Sequence, residues 1–95
     1  MQLVKYIYLP EIPGLSSPAE KKDIRVVQWV KNEGDYFAKL DPVVYVKATI
    51  GVVEVKAPES GTMHKILAQR GSRVRVGQPL ATFLPPTRGI AKRLV

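Results

Sequence analysis

The sequence predicts an all-β fold, a flattened eight-strand barrel or sandwich of two pseudo-twofold-related halves. Three observations predict it. Short runs rich in Val, Ile, Tyr and Thr alternate with Gly, Pro and Asp, as in β-sheet proteins. No long segment has a helical period of apolar residues. The chain also matches itself after a shift of 37 positions, and its 95 residues suffice for one domain.

The internal match aligns two strand–turn–strand units. The aligned pairs are Trp29 with Ile66, Gly34 with Gly71, Phe37 with Val74, and Pro42 with Pro79. Two copies are too few for a solenoid, which needs at least three. We therefore expect two halves that cover each other's apolar faces. The segment between the copies, residues 47–60, is then expected to form a protruding hairpin beside the symmetry axis.

The individual strands are runs of β-branched and aromatic residues bounded by turn residues. In chain order they span residues 3–9, 24–30, 36–39, 43–48, 52–57, 63–68, 73–76 and 80–84. The polar segment 19–23 is long enough for only one helical turn. Gly34 and Gly51 mark reversals that need an unusual backbone conformation, and Pro42 follows a turn because it cannot donate within a central ladder. Strict alternation makes 52–57 the clearest strand.

The net charge of +7 lies entirely in the last third of the chain. Residues 1–59 carry eight basic and eight acidic side chains, whereas residues 60–95 carry seven basic and none that are acidic. Such asymmetry indicates attraction to an acidic protein, to nucleic acid or to an anionic surface, although solubility alone also requires charge. Arg73 and Arg75 alternate with apolar residues and share one outward face, where Arg70 can join them, so these three arginines form the candidate partner-contact surface.

Several kinds of chemistry are excluded by composition. There is no cysteine, which removes disulfides, thiol catalysis and cysteine-based metal sites. His64 is the only histidine, too few for a zinc site. No serine has a nearby base, the carboxylates are unpaired, and no phosphate-binding loop is present. We therefore expect no catalytic residues, no metal, and no small-molecule substrate of its own.

Location and domain boundaries are expected to be simple. The apolar runs are far shorter than the ~18 residues that cross a bilayer, and no signal-peptide pattern opens the chain. We expect a cytoplasmic protein without membrane contact. Pro85 and Pro86 end the last strand, so residues 1–84 form the domain and residues 85–95 a basic, flexible tail.

Three segments resemble lipoyl and biotinyl carrier domains. They are the opening turn at 29–35, the Ala-Pro-x-x-Gly turn at 57–63 and the closing Val-x-Val-Gly-x-x-Leu segment at 74–80. Residues 8–12 are similar to the start of lipoyl domains in acyltransferase subunits of 2-oxo acid dehydrogenase complexes. The resemblance covers residues 4–84 and implies a barrel-sandwich hybrid. It also implies an exposed hairpin whose tip lysine carries lipoate or biotin as a swinging arm.

The tip of this hairpin departs from both family signatures. Lipoyl domains read Asp-Lys-Ala there and biotinyl domains Met-Lys-Met, with the lysine about eight residues before the proline of the Ala-Pro turn. Counting back from Pro58 places Ile50 at that position, between Thr49 and Gly51. Lys47 lies three positions earlier, on the hairpin arm, and is the alternative attachment site. The more common role of such a residue is a solvated lysine that protects the sheet edge from aggregation.

These observations leave three hypotheses. The first is a degenerate, unmodified, lipoyl-like domain without a prosthetic group that acts as a non-catalytic protein-interaction module, with an acidic protein surface as partner. The second is a swinging-arm carrier with lipoate or biotin on Lys47, serving an acyl-transfer complex. The third is a small nucleic-acid-binding barrel whose tyrosines stack on bases. Trp29 is expected in the core where the two halves meet, because its repeat mate is Ile66.

Overall fold

A computed structural model describes residues 3–86 of the chain. It contains one short 3-10 turn at Glu20–Lys22 and eight β-strands. The strands are β1 (Lys5–Tyr8), β2 (Ile24–Trp29), β3 (Tyr36–Phe37), β4 (Pro42–Ala48), β5 (Gly51–Lys56), β6 (Gly61–Ile66), β7 (Arg73–Val74) and β8 (Pro79–Leu84). The all-β prediction is therefore confirmed. Apart from Pro85 and Pro86, the expected flexible tail lies outside the described residues.

The strands form two four-stranded antiparallel sheets with matching topology. The first sheet has the order β1-β8-β6-β3, and the second has the order β5-β4-β2-β7. A shift of 37 positions converts β2, β3 and β4 into β6, β7 and β8, and β1 takes the place in the first sheet that β5 has in the second. The structure is a flattened sandwich in which the sheets do not close into one barrel.

The strand registers of the two halves are identical under this shift. In the second sheet Trp29 pairs with Val44, and in the first sheet their equivalents Ile66 and Ala81 pair. Both ladders also contain an irregularity at the same place, just after Val26 in one and after the equivalent Met63 in the other. The internal repeat of the sequence therefore corresponds to a structural repeat in which equivalent residues form equivalent strand pairs.

Hydrogen bonds at two equivalent glycine turns join the two halves of the repeat. The Gly34 amide donates to the Met63 carbonyl at 2.8 Å, and the equivalent Gly71 amide donates to the Val26 carbonyl at 2.8 Å. Both glycines have positive φ, 95° and 87°, a conformation that side chains disfavour. The turn of each β-unit is thus hydrogen-bonded to the first strand of the other unit, which joins the two halves of the repeat.

The core lies between the inner faces of the two sheets. Phe37 and Phe83 are fully buried there, edge to face, with ring centroids 5.6 Å apart. Trp29 is half-buried and packs against this core. Its indole Nε1 donates to the Ala68 carbonyl at 2.8 Å, so it joins the second β-unit to the first. Trp29 therefore lies at the junction of the two units, as predicted from its repeat mate, but at the border of the core rather than within it.

The predicted strand boundaries differ from the observed ones by one or two residues at several ends, and two of these differences have an evident structural cause. β7 ends at Val74 rather than at 76, because the Arg75 amide donates to the Gln78 side chain and the Val76 amide to the Lys21 carbonyl. β6 begins at Gly61, since Gly61 pairs with Phe37 in the short strand β3. Both differences involve partners that are distant in the chain, Lys21 for Val76 and Phe37 for Gly61, which the local sequence pattern does not indicate.

Candidate functional site

The candidate site is built around the hairpin of β4 and β5. Ala48 pairs with Gly51, so Thr49 and Ile50 form a two-residue tip. Gly51 has a φ of 126°, which allows the tight reversal. The side chains of the tip are a hydroxyl and an aliphatic group, and no ionisable side chain lies between Ala48 and Gly51.

This tip does not project freely from the sandwich, in contrast to the protruding hairpin that the sequence predicted. The Thr49 hydroxyl donates to Glu20 Oε2 at 2.9 Å. The Ile50 side chain lies against Gly14, where an added Cβ would be 3.5 Å from its Cδ1 and Cγ2 atoms. The loop and turn that precede β2 therefore hold the hairpin tip, although Ile50 remains 53% exposed.

Glu20 organises this contact through both carboxylate oxygens. Oε1 accepts the backbone amides of Ser16 and Ser17 at 3.1 and 3.2 Å, and the Glu20 amide donates back to the Ser17 hydroxyl at 3.2 Å. The reciprocal pair has the form of a capping box. Hydrogen bonds from the Ser16 amide, then the Ser17 amide, then Thr49 lower the pKa of Glu20 below its ordinary 4.5. The Ser-x-x-Glu spacing of Ser17 and Glu20 is the sequence signal that could have located this capping box.

The depressed pKa of Glu20 predicts an acid-sensitive hairpin tip. A carboxyl with a lowered folded-state pKa stabilises the folded state above its unfolded pKa of about 4.5, and this contribution is lost as pH falls through the folded value. In an NMR titration, the amide signals of Ser16, Ser17 and Thr49 should therefore shift together below pH 4.5. In Glu20→Gln these signals should no longer follow a common carboxyl titration.

Glu11→Gln is the matched control for this titration. Glu11 lies on the same loop, but it pairs with Lys21 at 3.3 Å rather than with the tip. This variant should keep the concerted titration of the three amides. Tip signals that stay constant through the acid range in the wild type would contradict the assigned contact.

Lys47 lies on the arm of the hairpin, as the sequence predicted, and not at its tip. It is exposed on β4 between the buried residues Val46 and Ala48, so its side chain points outward. It pairs with Val52 on one side and with Arg25 on the other. Lys47 and Arg25 border a shallow depression together with Asp23, Ala48 and Thr49.

The structure brings two of the three predicted contact arginines together and leaves the third apart. Arg73 on β7 and the following Arg75 are exposed and border one depression with Lys22 and Gln78. Arg70 is exposed in the turn before β7 and is not among the residues that border this depression. Arg73 pairs instead with Arg25 on β2. Sequence reasoning missed Lys22 and Arg25, because the tertiary packing of the 3-10 turn and the register of β2 with β7 bring them to this surface.

The described residues provide no metal centre. Within residues 3–86, no group of three or more His, Cys, Asp or Glu side chains could hold a metal ion. His64 is half-buried on β6. None of the helical segments in the described part of the chain has the length and apolarity to span a membrane.

Comparison with known proteins gives a consistent family assignment. A biotin/lipoyl family model, described as biotin-requiring enzyme, matches residues 13–83. The chain is 32% identical over 74 residues to the pyruvate dehydrogenase E1 component subunit beta of Rhizobium meliloti. It is 26% identical over 78 residues to the dihydrolipoyllysine-residue succinyltransferase component of the 2-oxoglutarate dehydrogenase complex of Buchnera aphidicola. These matches cover 77% and 82% of this chain but only 16% and 18% of the relatives.

Two solved structures share the fold. The urea carboxylase of Kluyveromyces lactis superposes with a TM-score of 0.67 at 22% identity, over 88% of this chain and 6% of that one. A single-chain, multi-domain long-chain acyl-CoA carboxylase superposes with a TM-score of 0.62 at 23% identity, over 78% of this chain and 7% of that one. At these identities the likeness concerns the fold alone.

Proposed function

We propose, since this chain belongs to the biotin/lipoyl carrier-domain family, that it is an unmodified member which acts as a non-catalytic protein-interaction module. The observation that carries the proposal is the hairpin tip. Ile50 stands where the family resemblance puts the acceptor lysine. Lipoate and biotin are attached through an amide bond, which needs a primary amine, and the isoleucine side chain has none.

The contacts of the tip support the same proposal. The root of a swinging arm must stand clear of the domain and be reached by a ligase. Here Thr49 is hydrogen-bonded to Glu20, and Ile50 lies against Gly14. A tip that packs against its own domain suits a surface for binding better than an attachment point for a mobile arm.

The alternative is a carrier domain with lipoate or biotin on Lys47. The side chain of Lys47 is exposed and two residues from the tip turn, which favours access. The curated relatives are named as components of pyruvate dehydrogenase and 2-oxoglutarate dehydrogenase systems, so an acyl-transfer complex is the setting in which such a carrier would work. Against it, Lys47 lies within the β4 ladder directly opposite Arg25, and not in the turn.

Intact-mass measurement after co-expression with lipoate and biotin ligases separates these two functions. We expect the wild type to keep its unmodified mass. The double variant Thr49→Asp, Ile50→Lys, which restores the acidic residue and the lysine of the lipoyl signature, should gain a lipoyl increment. It retains Gly51 and therefore the backbone of the turn.

Lys47→Arg is the control that shows whether a mass increment comes from modification of Lys47. A lipoyl or biotinyl increment on the wild type that disappears in Lys47→Arg would overturn the proposal and establish the carrier function. Thr49→Asp also removes the hydroxyl that donates to Glu20, so this contact cannot shield the tip of the double variant. An unmodified wild type beside a modified double variant supports the proposal.

A further inference from the structure

A row of cations crosses the outer face of the second sheet. Lys47 on β4 pairs with Arg25 on β2, and Arg25 pairs with Arg73 on β7. All three side chains are exposed. Neighbouring strands lie ~4.8 Å apart, so this cation row spans about 10 Å of the sheet surface. Lys22 and Arg75 border the depression beside its Arg73 end.

The cation row is unfavourable for the isolated domain. Like charges directly opposite each other on neighbouring strands destabilise a sheet. Among residues 3–86 the salt bridges are Lys5 with Glu59 and Lys21 with Glu11, and neither contacts the row. The Arg25 guanidinium makes one long hydrogen bond, 3.4 Å, to the Gly71 carbonyl. Folding therefore brings three like charges together without a salt bridge to them among residues 3–86, and Asp23 is the acidic residue that borders the same depression as Lys47 and Arg25.

The pseudo-symmetry of the fold provides an internal comparison. The equivalents of Lys47, Arg25 and Arg73 in the first sheet are Leu84, Thr62 and Tyr36, which form the same cross-strand row. That row is neutral, and its strands have the same register. The sandwich therefore does not require cations at these positions, and the charge of the row has a reason other than folding.

The surroundings of the cation row indicate the chemistry of its ligand. Arginine guanidinium groups bind carboxylates in bidentate fashion. Val52, 62% exposed, lies opposite Lys47 at the other end of the row and offers an apolar contact. The exposed tyrosines that could stack on bases, Tyr6, Tyr8 and Tyr36, belong to strands of the first sheet. A cation row with an apolar end and no adjacent exposed aromatic side chain suits an acidic peptide better than a nucleic acid.

We propose that the cation row binds an extended acidic segment of a partner protein. Its carboxylates contact Lys47, Arg25 and Arg73, and an apolar side chain of the same segment packs on Val52. Alternate residues of an extended peptide lie about 6.7 Å apart on one face, so two or three carboxylates fit the row. This inference rests on the proposed interaction function and names the partner chemistry of that function.

A short synthetic peptide tests the proposal, with one leucine followed by alternating glutamate and serine. Titrated into the full chain at physiological salt, it should bind saturably and shift the NMR signals of β2, β4 and β7. The same peptide with glutamine in place of glutamate should not bind. The double variant Arg25→Thr, Arg73→Tyr carries the residues of the neutral row, so it should fold. It should bind the acidic peptide at least about tenfold more weakly.

The matched control is the double variant Lys65→Gln, Lys39→Gln, which also removes two positive charges, from exposed residues outside the row. It should bind the peptide within about twofold of the wild type. The row variant should also unfold at a higher temperature than the wild type, because the repulsion has been removed. This second readout separates a loss of binding from a loss of folding.

Three results would overturn the inference. The first is that the acidic peptide does not bind saturably to the wild type. The second is that peptide binding is weakened equally in the row variant and in the control variant. The third is that a thymidine oligonucleotide binds more tightly than the peptide and shifts the NMR signals of the same strands. The last would assign the row to nucleic acid. An unmodified wild type that does not bind the peptide would remove this inference and leave the proposed function in place. A prosthetic group on Lys47 would remove the proposed function itself.

Discussion

Replacing Phe83 by alanine is expected to lower the free energy of unfolding by about 3–5 kcal/mol, the range for deleting a buried aromatic ring. Phe83 is fully buried on β8 and meets Phe37 edge to face at 5.6 Å. Such aromatic pairs add about 0.5–1.5 kcal/mol to the burial of their area. Because a domain of this size is stable by about 5–15 kcal/mol, the variant should lose a large fraction of its stability.

Denaturant unfolding followed by circular dichroism measures this loss. Phe83→Leu keeps most of the volume and should lose less, about 1.5 kcal/mol or below, which provides a measurable variant if alanine prevents folding. Tyr6→Ala is the exposed control on the same sheet and should change the stability by no more than about 0.5 kcal/mol. A loss below 1 kcal/mol for Phe83→Ala would contradict the assignment of the aromatic pair to the centre of the core.

Gly61→Ala is expected to destabilise the domain by about 1–3 kcal/mol through overpacking. A Cβ at this position would lie 2.6 Å from Phe83 Cδ2 and 2.7 Å from the Leu84 carbonyl oxygen. The equivalent position in the other half is the buried Ile24, and the equivalent of Phe83 there is the smaller Val46. The two halves therefore fill the same space in opposite ways, with a large side chain beside a small one.

A double-mutant cycle tests this complementarity. In the Phe83→Val background, Gly61→Ala should cost less than half of what it costs in the wild type, because the ring that it meets is gone. Gly34→Ala is the matched control, since its Cβ would meet no atom within 4 Å and its penalty comes from a φ of 95°. That penalty should be the same in both backgrounds. If Gly61→Ala lowers the free energy of unfolding equally in both backgrounds, the destabilising clash is with the Leu84 carbonyl and not with the Phe83 ring.

Much of the fold could be predicted because its signals are local and repeated. Alternation in 52–57 located β5, and the two aligned units located β2, β4, β6 and β8 within two residues of their observed ends. The shorter strands β3 and β7 were predicted from their correct first residues, but each was predicted two residues too long at its C-terminal end. Their ends depend on hydrogen bonds from distant residues, such as that between the Val76 amide and the Lys21 carbonyl.

The candidate site, like the fold, could be predicted from the sequence only in part. The spacing from Pro58 to Ile50 located the hairpin tip, because a hairpin of fixed register converts sequence distance into position. The contact between Thr49 and Glu20 was not predicted, although Ser17 and Glu20 carry a recognisable capping pattern. A local motif can reveal a turn, but it does not reveal which distant side chain the turn will contact.

The sequence by itself determined the strand content, the twofold repeat and the absence of an amine between Ala48 and Gly51, since each depends on residue type and spacing alone. Only the tertiary structure decided that Lys47, Arg25 and Arg73 stand side by side. The physical reason is that strand pairing, which joins residues far apart in the chain, sets which charges face each other. Net charge predicted that the protein attracts an acidic partner, and the register of β4, β2 and β7 assigns the surface on which we propose that it binds.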